Sequence, residues 1–379
     1  MQTAIYRYRD QQFIPHVISE PVQEDKAQLV LCFGAKNEIA SSGLYERLKN
    51  RFPAAIIACC STSGEICHTE VIEDSITLTV IQFDDTSLKS HAVNIANFKN
   101  SYDAGAALIR KFEPGDISYV LVLSDGSRVN GSELVRGMND ISENRLLITG
   151  GLAGDGNNFQ STLVGLNDNP GEGVIAAIGF YGKKLQVTHG SRGGWDVFGL
   201  EKTVTRSTGN VLFEIDNYSS LALYKQYLGP EAEYLPGSAL MFPLSVRLPG
   251  HKESVVRTIL SIDEKTGSMI FAGDIPQGSR IRFMRANFDK LTNAASEAAH
   301  YSNQFGSKPP GFALLISCVG RKLVLQSRTE EEVEAVDEVF GCKTILSGFY
   351  SYGEISPIAA GEGCQLHNQT MTITAFYEN

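Results

Sequence analysis

The stretches "CSTSGEI" (residues 60–66) and "YSYGEIS" (residues 350–356) begin 290 residues apart, and both contain serine shortly before the tripeptide Gly-Glu-Ile. Each stretch lies at the end of an apolar run of strand length. A strand that ends in the same small, polar turn at two distant places indicates an internal repeat, and repeats decide the architecture of a chain.

The repeated unit consists of a strand, a helix, a strand that ends in the turn, and a return strand. It occurs three times. In the first unit these segments are residues 27–34, 41–52, 54–66 and 75–83, with Ser41 and Ser42 as the expected helix caps. In the second they are residues 119–126, 132–141, 145–156 and 161–166, and in the third residues 311–320, 329–341, 343–355 and 371–377.

A glycine followed by an acid marks the same place in each unit, as Gly64-Glu65, Gly154-Asp155 and Gly353-Glu354. Glycine at a strand end permits positive φ or a close approach of a ligand to the backbone. In open α/β sheets ligands bind outside the carboxyl ends of the strands. We therefore predict that these corners face a ligand pocket. The alternative is that the repetition reflects only the common strand-helix-strand pattern of α/β proteins.

The pattern predicts a mixed α+β protein of the α/β type, with two lobes built from repeated strand-helix-strand-strand units and mixed sheets. The predicted divisions are an N-terminal strand segment at residues 1–26, a first domain at 27–195 and a second domain at 196–379. The boundary is placed in the glycine-dense stretch "HGSRGGWDVFG" (residues 189–199).

Composition excludes several classes of protein. The 379 residues are 42% hydrophobic and 20% charged, with a net charge of −10 and no Lys/Arg-rich run, so nucleic acid and anionic membranes are poor partners. No secretory signal and no run of eighteen apolar residues is found, which predicts a cytoplasmic protein. The seven cysteines are then expected to be mostly buried thiols.

Five segments carry a resemblance to the FIST family, whose members have paired FIST N and FIST C domains. They are "CSTSGEI", "GGLAGDG" (150–156), "TRSTGNVLFEIDNYSSLALYKQYLG" (205–229), "SCVGR" (317–321) and "GFYSYGEISP" (348–357). The resemblance implies a bacterial sensory module that binds a small ligand and acts on a separate signalling protein, such as a histidine kinase or a cyclic-di-GMP enzyme. Amino acids are ligands proposed for the family, and some members look like haem proteins that sense nitric oxide.

The candidate ligand-binding residues lie at and beside the corners. Ser63, Glu65, Asp155 and Glu354 belong to the corners themselves. Arg321 follows a strand end, where its guanidinium would bind a carboxylate or a haem propionate, or would pair with Glu354 instead. The final candidates are Tyr350 and Tyr352, whose phenols would contact a ligand unless the rings are simply part of the core.

Haem requires an axial ligand, and the candidates are His189, at the predicted boundary, and His300, on the amphipathic segment 287–305. Catalytic and metal motifs are missing from the sequence: it has no Gly-x-Ser-x-Gly elbow, no dinucleotide fingerprint and no paired zinc spacing. We expect a sensor and not an enzyme. Two alternatives stay open: an enzyme that uses Glu65 or Glu354 as acid or base, and a purely structural interaction protein.

Overall fold

The computed structural model describes residues 1–9, 12–41, 43–305, 308–358 and 361–378. The first strands are β1 (Gln2–Arg9), β2 (Gln12–Ile18), β3 (Leu29–Gly34), β4 (Ile56–Ser61), β5 (Glu65–Cys67), β6 (Glu70–Ile72), β7 (Ile76–Gln82), β8 (Ser87–Asn94), β9 (Ile117–Ser124), β10 (Leu147–Leu152), β11 (Val164–Leu166), β12 (Val174–Tyr181) and β13 (Leu185–Arg192).

The remaining strands are β14 (Asp196–Thr208), β15 (Val211–Ile215), β16 (Tyr218–Ser219), β17 (Leu244–Arg247), β18 (Val255–Arg257), β19 (Ile259–Asp263), β20 (Ser268–Phe271), β21 (Arg280–Arg285), β22 (Phe312–Cys318), β23 (Ile345–Ser351), β24 (Gly353–Pro357), β25 (Cys364–His367) and β26 (Met371–Glu378). The α-helices are α1 (Lys36–Ile39), α2 (Leu44–Arg51), α3 (Ser101–Ile109), α4 (Gly131–Ser142), α5 (Ser220–Leu228), α6 (Phe288–Ser302), α7 (Val319–Leu325) and α8 (Thr329–Val339).

Three six-stranded sheets, as formed by the described residues, share one plan. Their strand orders are β11-β4-β3-β7-β1-β2, β25-β24-β10-β9-β12-β8 and β6-β5-β23-β22-β26-β13. In each sheet a parallel pair (β3 with β4, β9 with β10, β22 with β23) is followed by an antiparallel return strand. The mixed α+β class and its repeated units are thereby confirmed.

After each corner the chain crosses into a neighbouring sheet. The strand after the first corner, β5, pairs with β23, while β24 pairs with β10 and β11 pairs with β4. The exchange is cyclic, so the three units are related by an approximate three-fold arrangement. Strands from both sides of the predicted boundary share these sheets, and the boundary itself stays a prediction.

One predicted strand assignment is wrong. Residues 161–166 were expected to be the return strand of the second unit, but that strand is β12, and the segment contains the short strand β11. The segment follows the corner directly, and the residues in this position cross to the next sheet in every unit. A short apolar run does not reveal in which sheet it pairs.

The central core lies between the three sheets. Leu31 of β3, Leu121 of β9 and Leu314 of β22 belong to one buried cluster. Alternate residues of the same strands point away from this centre into separate clusters that include the outer helices. Because both faces of these strands are buried, their sequences are almost continuously apolar.

The helices differ from the sequence prediction in detail. The N-cap of α2 is Gly43 in the left-handed region, with no side-chain capping bond, so capping by Ser41 is wrong, and Ser42 lies outside the described residues. In the amphipathic segment 287–305 the apolar face is buried at the centre of α6, whereas Phe288 at the start of the helix is 39% exposed and Phe305, beyond its end, is 41% exposed. No helix among the described residues combines the length and apolar character that crossing a bilayer requires.

Residues 196–285 add a fourth sheet between β13 and α6. Its order is β18-β17-β21-β14-β15-β20-β19, with β16 paired to β15, and it has its own core. Hairpin turns lie at Gly209, between β14 and β15, and at residues 264–267, between β19 and β20, and Ser219 caps α5. The stretch predicted to be a linker is mostly strand, because β13 continues to Arg192 and β14 begins at Asp196.

Candidate functional site

The three corners meet at the end of the three-fold arrangement. We name them the first corner (residues 61–65), the second corner (151–156) and the third corner (350–354). Backbone hydrogen bonds join each corner to both others. The bonds run from Gly154 N to Ser61 O (2.9 Å), Gly156 N to Thr62 O (3.2 Å), Ser63 N to Tyr350 O (2.9 Å), Tyr350 N to Gly64 O (2.8 Å) and Tyr352 N to Leu152 O (3.2 Å).

This close approach explains glycine in the corners. A Cβ atom on Gly154 would lie 2.4 Å from the Ser63 hydroxyl oxygen. At this distance the two atoms overlap, and one of them would have to move. Gly64 has a φ of +129°, in the region that favours glycine. Backbone packing between corners therefore requires these glycines.

The carboxyl group of Glu65 is fully buried beside the first corner. One oxygen accepts a hydrogen bond from Thr62 (2.5 Å), and the other accepts one from Ser75 (2.9 Å). Burial raises the pKa of Glu65 to about 8, although the two hydroxyls and Lys322 act in the opposite direction. Glu65 is therefore a buried acid that holds its proton near neutral pH.

Glu354 occupies the equivalent place in the third corner. It is also fully buried and accepts hydrogen bonds from Ser351 (2.8 Å) and from the Thr370 hydroxyl (2.8 Å) and amide (3.2 Å). Burial likewise raises its pKa to about 8. Ser75 and Thr370 both lie immediately before a return strand.

The second corner departs from this pattern. Asp155 is 4% exposed and accepts hydrogen bonds from the backbone amides of Gln160 (3.1 Å) and Ser161 (3.0 Å). The Tyr352 hydroxyl donates to its other oxygen. The Asp155 carboxylate therefore bonds to the loop at residues 160–161 and to the third corner, whereas Glu65 bonds to two hydroxyls of its own unit.

A cavity of about 620 Å³ lies against the first and second corners. We name it the corner cavity. It is lined by Ala35, Lys36, Asn37, Glu38, Thr62, Ser63, Gly64, Glu65, Glu73, Asp74, Asp155, Gly156, Asn157, Asn158, Gln160 and Lys322. Of the residues predicted from the sequence, Ser63, Glu65 and Asp155 come together here.

Two lysines supply the cationic side of this cavity. The Lys322 ammonium donates to the Ser63 carbonyl oxygen (2.7 Å) and forms an ion pair with Glu73, and its side chain is 15% exposed. The Lys36 ammonium donates to the Ser161 hydroxyl. Because acids and lysines line one space, the cavity offers partners to both charges of a zwitterion.

Both lysines were missed by sequence reasoning. Lys36 comes two residues after the end of β3, and Lys322 directly follows the predicted site residue Arg321. Their positions after the carboxyl ends of the central strands β3 and β22 are the sequence feature that indicates a site role. Without the helical turn after β22, however, the sequence does not show which of two adjacent basic side chains reaches the rim.

Arg321 points elsewhere. It is fully buried, forms an ion pair with Glu332 (2.7 Å) and donates to the carbonyl oxygens of Gly193 (2.6 Å) and Leu291 (2.8 Å). Tyr350 donates to the same glutamate (2.8 Å). These two predicted site residues therefore belong to a buried network beneath the third corner and do not line the corner cavity.

Tyr352 and Glu354 belong neither to the lining of the corner cavity nor to the buried network of Arg321. Tyr352 stacks on Phe159, with ring centroids 4.6 Å apart, and lines a neighbouring cleft of about 380 Å³. Glu354 is enclosed by the third corner and the segment before β26. Neither residue lines the corner cavity.

The two predicted histidines lie apart from the corner cavity and the neighbouring cleft. His300 is exposed on α6, and His189 lies half-buried on β13, where burial lowers its pKa. Neither ring lines the corner cavity or the neighbouring cleft. This geometry does not fit an axial ligand of haem, which needs an apolar slot beside the iron. Haem binding stays a prediction.

Metal and thiol chemistry have little support at this site. No cluster of three or more potential ligands occurs within the described residues. Six of the seven cysteines are buried, as the composition predicts, and Cys342 is exposed. The chemistry of the corner cavity therefore depends on its hydroxyl, amide, carboxyl and ammonium groups.

Comparison with known proteins identifies the family. The FIST N domain matches residues 28–218, and the FIST C domain matches residues 220–357. The chain belongs to the FIST family. FIST domains are generally small-ligand sensing domains of signalling proteins, which confirms the resemblance and the coarse class of ligand. A search of curated proteins found no match for this FIST protein.

Two solved structures show a weak overall likeness. A cyanuric acid hydrolase from A. caulinodans is 8% identical with a TM-score of 0.37, and the match covers 94% of this chain and 92% of that one. A second structure, described as cyanuric acid hydrolase and as evolutionary innovation by structural concatenation, is 8% identical with a TM-score of 0.35 and coverages of 100% and 99%. Scores this low carry no conclusion about this chain.

Proposed function

We propose that this FIST protein is a cytoplasmic sensor that binds a small zwitterion of the amino-acid class in the corner cavity. Binding then regulates a separate signalling protein, such as a histidine kinase or a cyclic-di-GMP enzyme. One observation carries the proposal: a cavity at the junction of the repeated units is lined by both lysines and carboxyl groups. Its volume of about 620 Å³ suits a small molecule.

The cavity's charges favour an amino acid over an apolar ligand. A ligand ammonium finds an acceptor in Asp155, and a ligand carboxylate finds donors in Lys36 and Lys322. Ser63 adds a hydroxyl, which donates to the Gly156 carbonyl oxygen (3.0 Å). Polar groups of both charges in one cavity select a ligand that carries both charges.

A ligand here would act on the packing of the units. The cavity is lined by segments that follow β3, β4, β10 and β22, which belong to all three repeated units. A ligand that binds one arrangement of these segments more tightly shifts the population toward it. A partner protein that recognises that arrangement would then respond to the ligand.

A thermal-shift screen of the amino acids tests this function. A ligand that binds the native state raises the melting temperature by mass action. The matched probes are the corresponding amine without carboxylate and the N-acetylated acid, each of which lacks one charge. We expect stabilisation by an intact amino acid and little by either probe. Stabilisation by none of them would overturn the proposal.

A second candidate function rests on Glu65. Glu65 is one of the residues that line the corner cavity, and its pKa of about 8 suits proton transfer near neutral pH. An enzyme that uses Glu65 as acid or base would convert its ligand, whereas a sensor returns the ligand unchanged. Proton NMR of the bound amino acid over hours decides between them, with Glu65→Gln as the variant that stops any turnover.

A further inference from the structure

A second cavity lies between the second sheet and the fourth sheet. It has a volume of about 380 Å³ and is reached beside the ends of β9 and β10 and the hairpin of β19 and β20. We name it the aromatic cleft. The residues that matter here are Phe159, Tyr352 and Leu260, which form its apolar walls, and Asn210, Gln160 and Asp274, which are polar.

Phe159 presents an aromatic ring to this cleft. Its ring stacks on Tyr352 at an interplanar angle of 15°, yet Phe159 is 45% exposed. Its φ is +53°, a costly conformation for a bulky residue, and its amide donates to the Tyr352 hydroxyl (3.0 Å). Leu260, another wall of the cleft, is 47% exposed. The fold therefore holds an open aromatic surface beside a second apolar side chain.

The cleft presents side-chain oxygens that are open to a ligand's donors. The side-chain amide nitrogens of Asn130, Asn210 and Gln160 donate to Asp274, Phe271 and Asn158. Among the described residues, no donor reaches the remaining oxygen of Asp274 or the side-chain oxygens of Asn210 and Gln160. The Arg128 guanidinium at the rim is paired with Glu172. A ligand with N–H donors and a flat ring would pair with these oxygens and stack on Phe159.

We propose that the aromatic cleft is a second binding site of this protein, for a planar aromatic amine. The ring of the ligand stacks on the free face of Phe159, because aromatic rings prefer offset stacking. Its ammonium group donates to Asp274 and to the amide oxygens. This site is separate from the corner cavity, and the proposal does not depend on an amino acid binding there.

Tyr352 connects the two cavities. Its ring supports Phe159 in the aromatic cleft, and its hydroxyl donates to Asp155 in the corner cavity. Gln160 lines both spaces. A ligand that changes the Phe159 stack therefore acts on Asp155 through one side chain.

Tryptamine is the probe that tests the proposal, with indole-3-propionate and cyclohexylethylamine as matched compounds. The first comparison keeps the ring and replaces the ammonium with a carboxylate, and the second keeps the ammonium and removes the aromatic ring. Titration calorimetry with the full chain is expected to detect tryptamine and neither of the other two. Equal binding of all three, or no binding of tryptamine, would overturn the proposal.

Two variants locate the site, and a third serves as the control. Phe159→Ala removes the stacking surface and is expected to weaken tryptamine binding about tenfold. Phe288→Ala removes a ring of similar exposure on α6 and is expected to leave binding unchanged. Leu260→Lys places a cation in the cleft on an exposed strand position, so it is expected to abolish binding even if Phe159→Ala fails to fold. If Leu260→Lys binds tryptamine as well as the unchanged chain does, the site is not the aromatic cleft.

Discussion

Glu65 and Glu354 are 289 residues apart in the sequence and occupy equivalent positions in the fold. Each is fully buried. Each accepts one hydrogen bond from the hydroxyl of the residue three positions before it and another from the hydroxyl of the residue just before a return strand. The repeated Gly-Glu-Ile motif therefore marks a corner at which the repeated units contact one another. Only the first of these two glutamates also lines the corner cavity.

Stability should fall as pH rises between about 4.5 and 8. The pKa of each glutamate is about 8 in the folded protein and 4.5 in its unperturbed state, so the folded chain binds more protons in this range. The stabilising effect of the two protonated acids is complete below about 4.5 and is lost as pH passes 8. Each unit of pKa shift corresponds to about 1.4 kcal/mol.

Urea unfolding at several pH values measures this effect. The variant Glu65→Gln with Glu354→Gln has no carboxyl to ionise at either place and should show a weaker fall in the free energy of unfolding. Glu297→Gln, on an exposed carboxylate of α6, is the matched control and should keep the slope of the unchanged chain. Identical slopes in all three proteins would mean that the two buried acids do not titrate as described.

Arg321→Met should destabilise the protein by about 3–5 kcal/mol, because it leaves the buried Glu332 carboxylate without its partner. Arg328→Gln breaks the exposed pairs with Glu331 and Asp289 and should cost far less, because exposed ion pairs contribute little to stability. Denaturant unfolding compares the two. A small loss for Arg321→Met would show that the buried network contributes little.

Gly154→Ala should cost about 1–3 kcal/mol, because the new methyl group would overlap the Ser63 hydroxyl and separate the first and second corners. The control is Gly237→Ala, where among the described residues no atom beyond the chain neighbours of Gly237 lies within 4 Å of the added carbon. Thermal unfolding of both variants checks the difference. If they are equally stable, the corners do not pack as closely as described.

Tyr352→Phe should weaken ligand binding in the corner cavity as well as stability. The hydroxyl donates to Asp155 and accepts from the amides of Asp155 (3.1 Å) and Phe159 (3.0 Å). Its removal leaves the buried Asp155 without these bonds, and an unsatisfied buried group costs about 1–3 kcal/mol. Tyr234→Phe, at a tyrosine that is 69% exposed, is the control. Unchanged amino-acid affinity in Tyr352→Phe would show that the Tyr352 hydroxyl does not link the aromatic cleft to the corner cavity.

The repeat was readable from the sequence because glycine and acid types recur at one place in each unit. Central strands such as β3 and β22 are continuous apolar runs, and such runs identify buried strands by length and composition. The crossing of each chain segment into a neighbouring sheet was not readable, because β5, β11 and β24 are short and pair with residues far away in the sequence.

The site was partly predictable for a similar reason. Ser63, Glu65 and Asp155 follow from their corner positions, and they line one cavity. Arg321 and Tyr350 had equally suitable positions, but the buried Glu332 on α8 draws both side chains away from the cavity. A partner on another helix leaves no mark in the local sequence around Arg321, whereas the adjacent Lys322 reaches the rim.

The central claim is that the corner cavity binds a small zwitterion, and calorimetric titration tests it most directly. The amino acid that gives the largest thermal shift is titrated into the unchanged chain, Asp155→Asn and Glu297→Gln. We predict one binding site per chain, affinity about tenfold or more lower in Asp155→Asn, and no change in Glu297→Gln. Equal affinity in all three proteins, or no heat of binding in any, would contradict the account.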